Sequence, residues 1–132
     1  ARAQEVIPTG DCRLSDALRT VAGAKLVTDG TVPVPREVMD VVVSHLVGNA
    51  LAHGATEVQF DMRVGQLLIS DNGPGISAGN RSRVFDPFFT TRRESGGTGM
   101  GLAIVRRMLE TQGAEIQLLD QPGAVFAISF DR

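Results

Sequence analysis

The chain has 132 residues, of which 42% are hydrophobic, and a formal net charge of −2 at pH 7. This length is typical of one domain whose core suffices for folding without disulfides, so we expect residues 1–132 to form a single domain. The small net charge provides no basic field for nucleic acid or for an anionic membrane, and no apolar run could span a bilayer. The single cysteine, Cys12, excludes an internal disulfide and fits the reducing conditions of the cytoplasm.

The first half of the chain has a weakly patterned start, residues 1–13, followed by alternating helical and strand patterns. Apolar spacing predicts a short helix over Leu14–Val21, a strand over Ala24–Thr28 and a long helix over Arg36–His53. Gly54 is a natural end for that long helix. Its predicted buried stripe consists of Met39, Val43, Leu46, Val47, Ala50 and Leu51, with Val42 beside it.

The second half contains four predicted strands and one helix. Alternating residues predict strands over Glu57–Met62 and Gln66–Ser70, which we expect to form a hairpin. A helix from Leu102 to Gly113 is followed by strands over Ala114–Leu119 and Ala124–Phe130, joined by a Pro-Gly turn. The predicted core face of that helix comprises Leu102, Val105 and Leu109, with Ile104 and Met108 alongside. Such amphipathic helices and strands predict an α+β fold, a two-layer sandwich with helices on one side of a sheet.

A glycine-rich segment, SGGTGMGLAIV at Ser95–Val105, leads directly into the predicted second long helix. Gly97, Gly99 and Gly101 lack side chains that would block a ligand, and a helix N-terminus favours anions, above all phosphate. A glycine hinge before a core helix explains this segment equally well. The spacing is GxGxG rather than GxGxxG, and the phosphate loop GxxxxGK[ST] is absent.

Two polar groups are further candidates for a ligand site. His45, Asn49 and His53 are spaced four apart and therefore lie on one face of the long helix, although Asn49 alone could simply face water. Asp71 follows a predicted strand and is followed by Asn72, Gly73, Pro74 and Gly75, all of which favour turns. Its carboxylate could accept a hydrogen bond from an exocyclic amine while the glycines admit a flat ring; a plain loop is the alternative.

Residues 81–91 gather half of the six phenylalanines of the chain: Phe85, Phe88 and Phe89. Aromatic side chains in a predicted loop anchor it to the body of a protein. The following residues, 92–95, are short, polar and poorly patterned, which is typical of a lid over a ligand site.

Taken in chain order, the phrases HLVGNALAH, DNGPGI, FDPFFTT and GGTGMGLAIV resemble the four nucleotide-binding boxes of the GHKL ATPases. The resemblance is closest to the ATP-binding catalytic domain of bacterial sensor histidine kinases. It implies the Bergerat fold, in which a mixed, mainly antiparallel sheet has helices on one face. It also implies binding of ATP with Mg²⁺ and donation of the γ-phosphoryl group to a histidine, for onward transfer to a response regulator.

The resemblance further implies roles for individual residues. Asn49 would ligate Mg²⁺, Asp71 would accept a hydrogen bond from the adenine N6 amine, and Gly75 would lie against the ring. Residues 92–96 would form a short lid, and the glycine segment would offer N–H groups to the phosphates. Asn49 and His45 are the catalytic candidates. The full set of implied ATP-binding residues is Asn49, His53, Asp71, Gly73, Gly75, Ile76, Phe85, Thr90, Thr91, Arg92, Gly97, Thr98, Gly99, Met100, Gly101 and Leu102.

Three departures from the family pattern affect these expectations. Relatives that hydrolyse ATP directly have a glutamate four residues before the metal-binding asparagine, where this chain has His45, which favours a kinase over a hydrolase. Many histidine kinases have a basic residue where this chain has Ala52, so we expect Arg92 or Arg93 to contact the phosphates instead. A threonine often found before the phenylalanine of the last strand is replaced around Ala124 and Val125.

The chain has two histidines, His45 and His53, and neither lies in a phosphoacceptor motif. We therefore expect the phosphorylated histidine to lie on a separate upstream dimerisation domain. The chain alone would be a monomeric fragment that binds ATP with little transfer, whereas the longer protein would dimerise and could be membrane-anchored. One alternative is a degenerate nucleotide-sensing or scaffold module, which the uncharged Ala52 supports. A second is an anti-sigma-type serine kinase, which His45 in place of glutamate opposes. A third is a glycine-rich structural domain.

Overall fold

The computed structural model describes residues 10–73, 101–119 and 124–130. It contains three helices in this part of the chain, which are α1 (Leu14–Leu18), α2 (Arg36–Ala52) and α3 (Gly101–Thr111). The strands are β1 (Cys12–Arg13), β2 (Ala24–Thr28), β3 (Thr31–Val32), β4 (Val58–Arg63), β5 (Gln66–Asp71), β6 (Ala114–Leu118) and β7 (Val125–Phe130).

The main sheet has five strands in the order β2-β4-β5-β7-β6. Strand β2 pairs with β4 in parallel, and the other three pairings are antiparallel. The sheet is therefore mixed and mainly antiparallel, and the predicted α+β class is confirmed. A second sheet of two short strands, β1 and β3, was not predicted, because two residues are too few for an alternating pattern to be visible.

One core lies between the helices and a single face of the main sheet. Strand residues on the opposite face, such as Gln59, Glu115 and Gln117, are exposed, so the helices cover one side. The two-layer arrangement buries apolar side chains of both layers together. The core includes Leu14, Met39, Val42, Val43, Leu46, Val58, Phe60, Leu67, Ile69, Val105, Leu109, Ile116, Phe126 and Ile128.

The long helix and α3 have the predicted core faces, with two corrections. Leu51 is 39% exposed and Ile104 is 37% exposed, although both were expected in or beside the buried stripes. Successive helical residues are rotated by about 100°, so Leu51 follows buried Ala50 off the centre of its stripe. It packs instead against Gly23, where an added Cβ would lie 3.4 Å from a Leu51 methyl carbon. Ile104 precedes fully buried Val105 and is displaced from the core by the same rotation.

The first helix is shorter than expected, because it ends at Leu18 rather than Val21. The N–H groups of Arg19 and Val21 donate to the carbonyls of Asp16 and Leu18, three residues back, so the chain tightens into turns after the helix. The predicted hairpin of β4 and β5 is confirmed. Arg63 pairs with Gln66 across a two-residue turn, and Gly65 supplies the positive φ of 72°.

Asp29 links the small sheet to the start of α1. Its carboxylate accepts hydrogen bonds from the backbone N–H of Ser15 (3.0 Å) and of Gly30 (2.7 Å), and its other oxygen is 2.8 Å from an Arg13 guanidinium nitrogen. Desolvation alone would raise the pKa of Asp29, but these donors outweigh it and hold the pKa at about 2. The carboxylate therefore stabilises the fold in its ionised form.

Candidate functional site

The polar row of α2 lies at the boundary between the core and solvent. His45, Asn49 and His53 are each half-buried, whereas Ser44, one residue before His45, is exposed. His53 is the residue just after the helix end, and its N–H donates to the Ala50 carbonyl at 3.1 Å. Because four residues advance a helix by about 6 Å, the three side chains are arranged along one line. The row predicted from spacing is present and partly shielded from water.

Asp71 ends β5 at the same end of the molecule as the C-terminus of α2. It is half-buried, it pairs with Val58 on β4, and its N–H donates to the Ala124 carbonyl of the segment leading into β7. The Gly73 N–H donates to the Asp71 carboxylate at 2.8 Å. Strands on both sides and the following turn therefore fix this carboxylate in position.

The electrostatic environment of Asp71 connects it to the row on α2. Desolvation by burial raises the pKa of Asp71 above its ordinary value, while hydrogen bonds from the backbone of Gly73 and Ala124 and the charge of nearby His53 oppose that rise. His53 is thus close enough to interact with the Asp71 carboxylate. The fold brings together two residues 18 positions apart in the sequence that had been singled out independently.

A side chain at position 73 would be tightly confined by its neighbours. A Cβ atom at this position would lie 3.2 Å from the Ala55 nitrogen, 3.2 Å from Asp71 Oδ1 and 3.3 Å from the Ala55 Cβ. Two of these neighbours belong to the backbone or to a buried alanine, so they cannot move aside as the end of a long side chain could. Close packing between the chain after α2 and the chain after β5 therefore disfavours a larger residue here.

The third part of the candidate site is the start of α3. Gly101 is the first residue of this helix, and half-buried Leu102 packs against the core. Helix α3 contacts α2 directly. The glycine-rich segment precedes this helix in the chain, and α3 lies beside the helix that presents Asn49.

Comparison with known proteins decides the family. Residues 36–132 match the family model described as "Histidine kinase-, DNA gyrase B-, and HSP90-like ATPase". The chain belongs to this ATPase family. Within it, the chain is an ATP-binding catalytic domain of the sensor histidine kinase type, as the four boxes had indicated.

The individual relatives are sensor kinases. The chain is 29% identical over 126 residues to the alginate biosynthesis sensor protein KinB of Pseudomonas aeruginosa, which covers 91% of this chain and 20% of KinB. It is 33% identical over 92 residues to the sensor histidine kinase CpxA of Escherichia coli K12, covering 64% of this chain and 20% of CpxA. The chain thus spans about a fifth of the length of these curated relatives.

The fold of the ATPase domain agrees with a solved relative. The crystal structure of the ATP binding domain of PrrB from Mycobacterium tuberculosis superimposes with a TM-score of 0.70, at 23% sequence identity. The match covers 92% of this chain and 96% of that one. This likeness establishes the Bergerat-type fold. Among the described residues, no helix combines the length and apolar composition that a membrane span requires.

Several predicted site residues of the ATPase domain lie outside the described residues, so their roles stay predictions. The described part contains His45, Asn49, His53, Asp71, Gly73, Gly101 and Leu102. The residues outside it are Gly75, Ile76, Phe85, Thr90, Thr91, Arg92, Arg93, Gly97, Thr98, Gly99 and Met100.

Asn72 is a residue of this region that the sequence reasoning passed over. It makes three side-chain hydrogen bonds to the segment that follows α2. A signal was available, since Asn before Gly at a strand end commonly bonds to nearby backbone. Its partners, however, are 15 and 16 residues away, and no local pattern identifies them.

Proposed function

We propose that this domain binds Mg²⁺·ATP and donates the γ-phosphoryl group to a histidine on a separate domain of a longer kinase. The observation that supports this most directly is the half-buried Asp71 carboxylate, which is held by the Gly73 N–H beside the chain that follows the polar row of α2, in a chain of the histidine kinase-like ATPase family. The shielded carboxylate suits the adenine end of a nucleotide. The partly buried polar row, at the same end of the sheet, suits its phosphate end.

The adenine end of the proposed site is built on Asp71. An ionised carboxylate has about four acceptor positions, so hydrogen bonds from the Gly73 and Ala124 backbone leave capacity for the adenine N6 amine. Partial burial strengthens a hydrogen bond to such a group, since water competes less effectively.

The phosphate end of the proposed site begins about one helical turn away. Asn49 lies four residues before His53 on the same row, and its side-chain oxygen is a hard ligand of the kind that Mg²⁺ prefers. Mg²⁺ is commonly held by one or two protein ligands together with substrate phosphates and water, so a single amide oxygen fits this ion. When bound, the metal would neutralise charge on the phosphates.

We further propose that Gly97, Gly99, Gly101 and Leu102 donate backbone N–H groups to the phosphates at the start of α3. A helix N-terminus has unpaired N–H groups and a partial positive charge, both of which favour phosphate. Because Ala52 is exposed and uncharged, Arg92 or Arg93 would provide the guanidinium at the phosphates. Catalysis would then depend on positioning and charge stabilisation during an in-line displacement.

His45 distinguishes a kinase from a direct ATP hydrolase in this proposal. It is half-buried one turn before Asn49, where ATP-hydrolysing members of the family would have a glutamate to activate water. An imidazole at that place supplies no carboxylate base, which favours transfer to a protein acceptor. Residues 1–132 would act as one catalytic domain, with a dimerisation domain bearing the acceptor histidine and a response regulator as partners, all in the cytoplasm.

The decisive experiment follows labelled phosphate from γ-³²P-ATP in the full-length kinase that contains this domain. We expect label on a histidine of the dimerisation domain, recognised because phosphohistidine is labile in acid and stable in base. Asn49→Asp in the same protein should abolish the label, and Ser44→Ala, an exposed neighbour on α2, serves as the matched control.

Two results would contradict the proposal. Acid-stable label would indicate a hydroxyl acceptor, as in an anti-sigma-type serine kinase. ATP binding without any transfer in the full-length protein would indicate a sensing or scaffold module instead. The isolated 132-residue chain should bind ATP yet show little transfer, and strong self-labelling of that chain would also be contradictory.

A further inference from the structure

The exposed side chain of Asn72 makes an unusually complete set of hydrogen bonds. Its Oδ1 accepts from the backbone N–H of Thr56 at 2.8 Å and of Glu57 at 3.1 Å, and its Nδ2 donates to Thr56 Oγ1 at 2.8 Å. The Asn72 N–H also donates to the Glu57 carbonyl at 3.3 Å. The amide orientation follows from these partners, because the reversed amide would set its NH₂ against two N–H donors.

These bonds begin where the sheet ladder ends. The last paired residues of β4 and β5 are Val58 and Asp71, so Asn72 lies one residue beyond the pairing. Past that pair, the Asn72 N–H still donates to the Glu57 carbonyl, at 3.3 Å. The Asn72 side chain extends the connection to Thr56, on the chain that leaves α2.

The other side of the connection is fixed to α2. The Ala55 N–H donates to the Ala50 carbonyl at 3.0 Å, and the Ala55 side chain is buried. Hydrogen bonds therefore fix residues 55–57 to the last turn of α2 on one side and to Asn72, the neighbour of Asp71, on the other. Asn49 and His53 lie on the α2 side of these bonds, and the carboxylate lies on the other side.

We infer that Asn72 is a positioning residue that sets the distance between the Asp71 carboxylate and the polar row of α2, and thereby the selection of adenine over guanine. The inference rests on the proposed function. Adenine presents an N6 amine that donates to a carboxylate, whereas guanine presents an O6 acceptor there that the carboxylate repels. A carboxylate held in place discriminates between these bases, and a loosely held carboxylate does so less.

Titration calorimetry on the 132-residue chain, with ATP and with GTP in the presence of Mg²⁺, tests this inference. For Asn72→Ala we expect the dissociation constant for ATP to rise on the order of tenfold, as for loss of one good hydrogen bond. The constant for GTP should change less than about twofold, because no favourable contact to Asp71 is lost. A purely structural role would weaken both nucleotides alike.

Two further variants make the result specific. Thr56→Val removes one of the three side-chain bonds, so the ATP preference should fall by about two- to threefold. This variant decides the question if Asn72→Ala does not fold. Gln59→Ala is the matched control, since the exposed Gln59 side chain donates to the Glu57 carboxylate and not to Asn72 or Asp71. It should leave both affinities unchanged.

An equal loss of ATP and GTP affinity in Asn72→Ala, or an unchanged ATP preference in both variants, would overturn the inference while the proposed function stands. Failure of the unsubstituted chain to bind ATP would instead overturn the proposed function, and the inference with it.

Discussion

The substitution Gly73→Ala tests the close packing that places Asp71 beside the chain after α2. The new Cβ would meet the Ala55 nitrogen and Asp71 Oδ1, each at 3.2 Å. Since the Ala55 backbone is fixed by its bond to Ala50, the carboxylate is the neighbour that can move most easily. We expect it to rotate away and to lose the 2.8 Å bond from the residue 73 N–H.

The expected size of the effect follows from two opposing contributions. Overpacking of this kind lowers the free energy of unfolding by about 1–3 kcal/mol. Replacing glycine by alanine raises it by about 0.4–1 kcal/mol, because the unfolded chain has less conformational entropy. The net loss of unfolding free energy is therefore about 1 kcal/mol. With an unfolding entropy of roughly 2.1 cal/mol/K per residue over 132 residues, Tm should fall by about 4 °C. Displacement of a charged hydrogen-bond acceptor should weaken ATP binding by roughly 10- to 100-fold.

Thermal unfolding and ATP titration of the same samples measure both effects. Gly48→Ala is the matched control, because a Cβ at this exposed position inside α2 meets nothing within 4 Å. Helix propensity predicts that this variant gains about 0.5–1 kcal/mol and keeps its ATP affinity. Wild-type Tm and wild-type ATP affinity in Gly73→Ala would refute the reasoning about this contact.

Two further predictions concern the stability of the fold. Leu109→Ala opens a cavity at a fully buried position between α3 and the sheet, and chemical denaturation should show a loss of about 3 kcal/mol in unfolding free energy. Ile104, on the same helix, is 37% exposed, so Ile104→Ala should cost much less. Equal losses in the two variants would contradict the shared core. The pKa of Asp29 is lowered from 3.8 to about 2. The stabilisation of the fold by its ionised carboxylate is therefore complete above about pH 4 and is lost as pH falls toward 2. The difference in unfolding free energy between wild type and Asp29→Ala should therefore shrink over that interval, and a constant difference would count against this role.

Much of the fold is encoded in local patterns, which explains why it could be predicted. Helix α2 was expected over Arg36–His53 and forms over Arg36–Ala52, because a long apolar stripe with prolines before it and a glycine after it leaves little choice. The parallel pairing of β2 with β4 and the two-residue strands were not predicted. Parallel pairing depends on contacts between distant segments, and strands of two residues show no period.

The candidate site was predictable in its components but not in its connections. Spacing identified the row on α2, and turn chemistry identified Asp71 and Gly73. The interaction of His53 with Asp71 and the bonding of Asn72 to Thr56 require the three-dimensional packing of α2 against the sheet. The order of the four segments indicated the family, which no single segment could establish.

The direct test of the account is the affinity of Asp71→Asn for ATP, measured by calorimetry with and without Mg²⁺ alongside a thermal unfolding curve. Burial raises the pKa of Asp71, so the ionised carboxylate is unfavourable for folding at neutral pH, and a neutral Asn should leave Tm unchanged or higher. That gain should vanish as pH falls through the raised pKa and the wild-type carboxyl becomes neutral. We predict a folded protein that has lost at least about 100-fold in ATP affinity, as expected for loss of a shielded, charged acceptor. A folded Asp71→Asn protein that binds ATP as tightly as the wild type would contradict the proposed site.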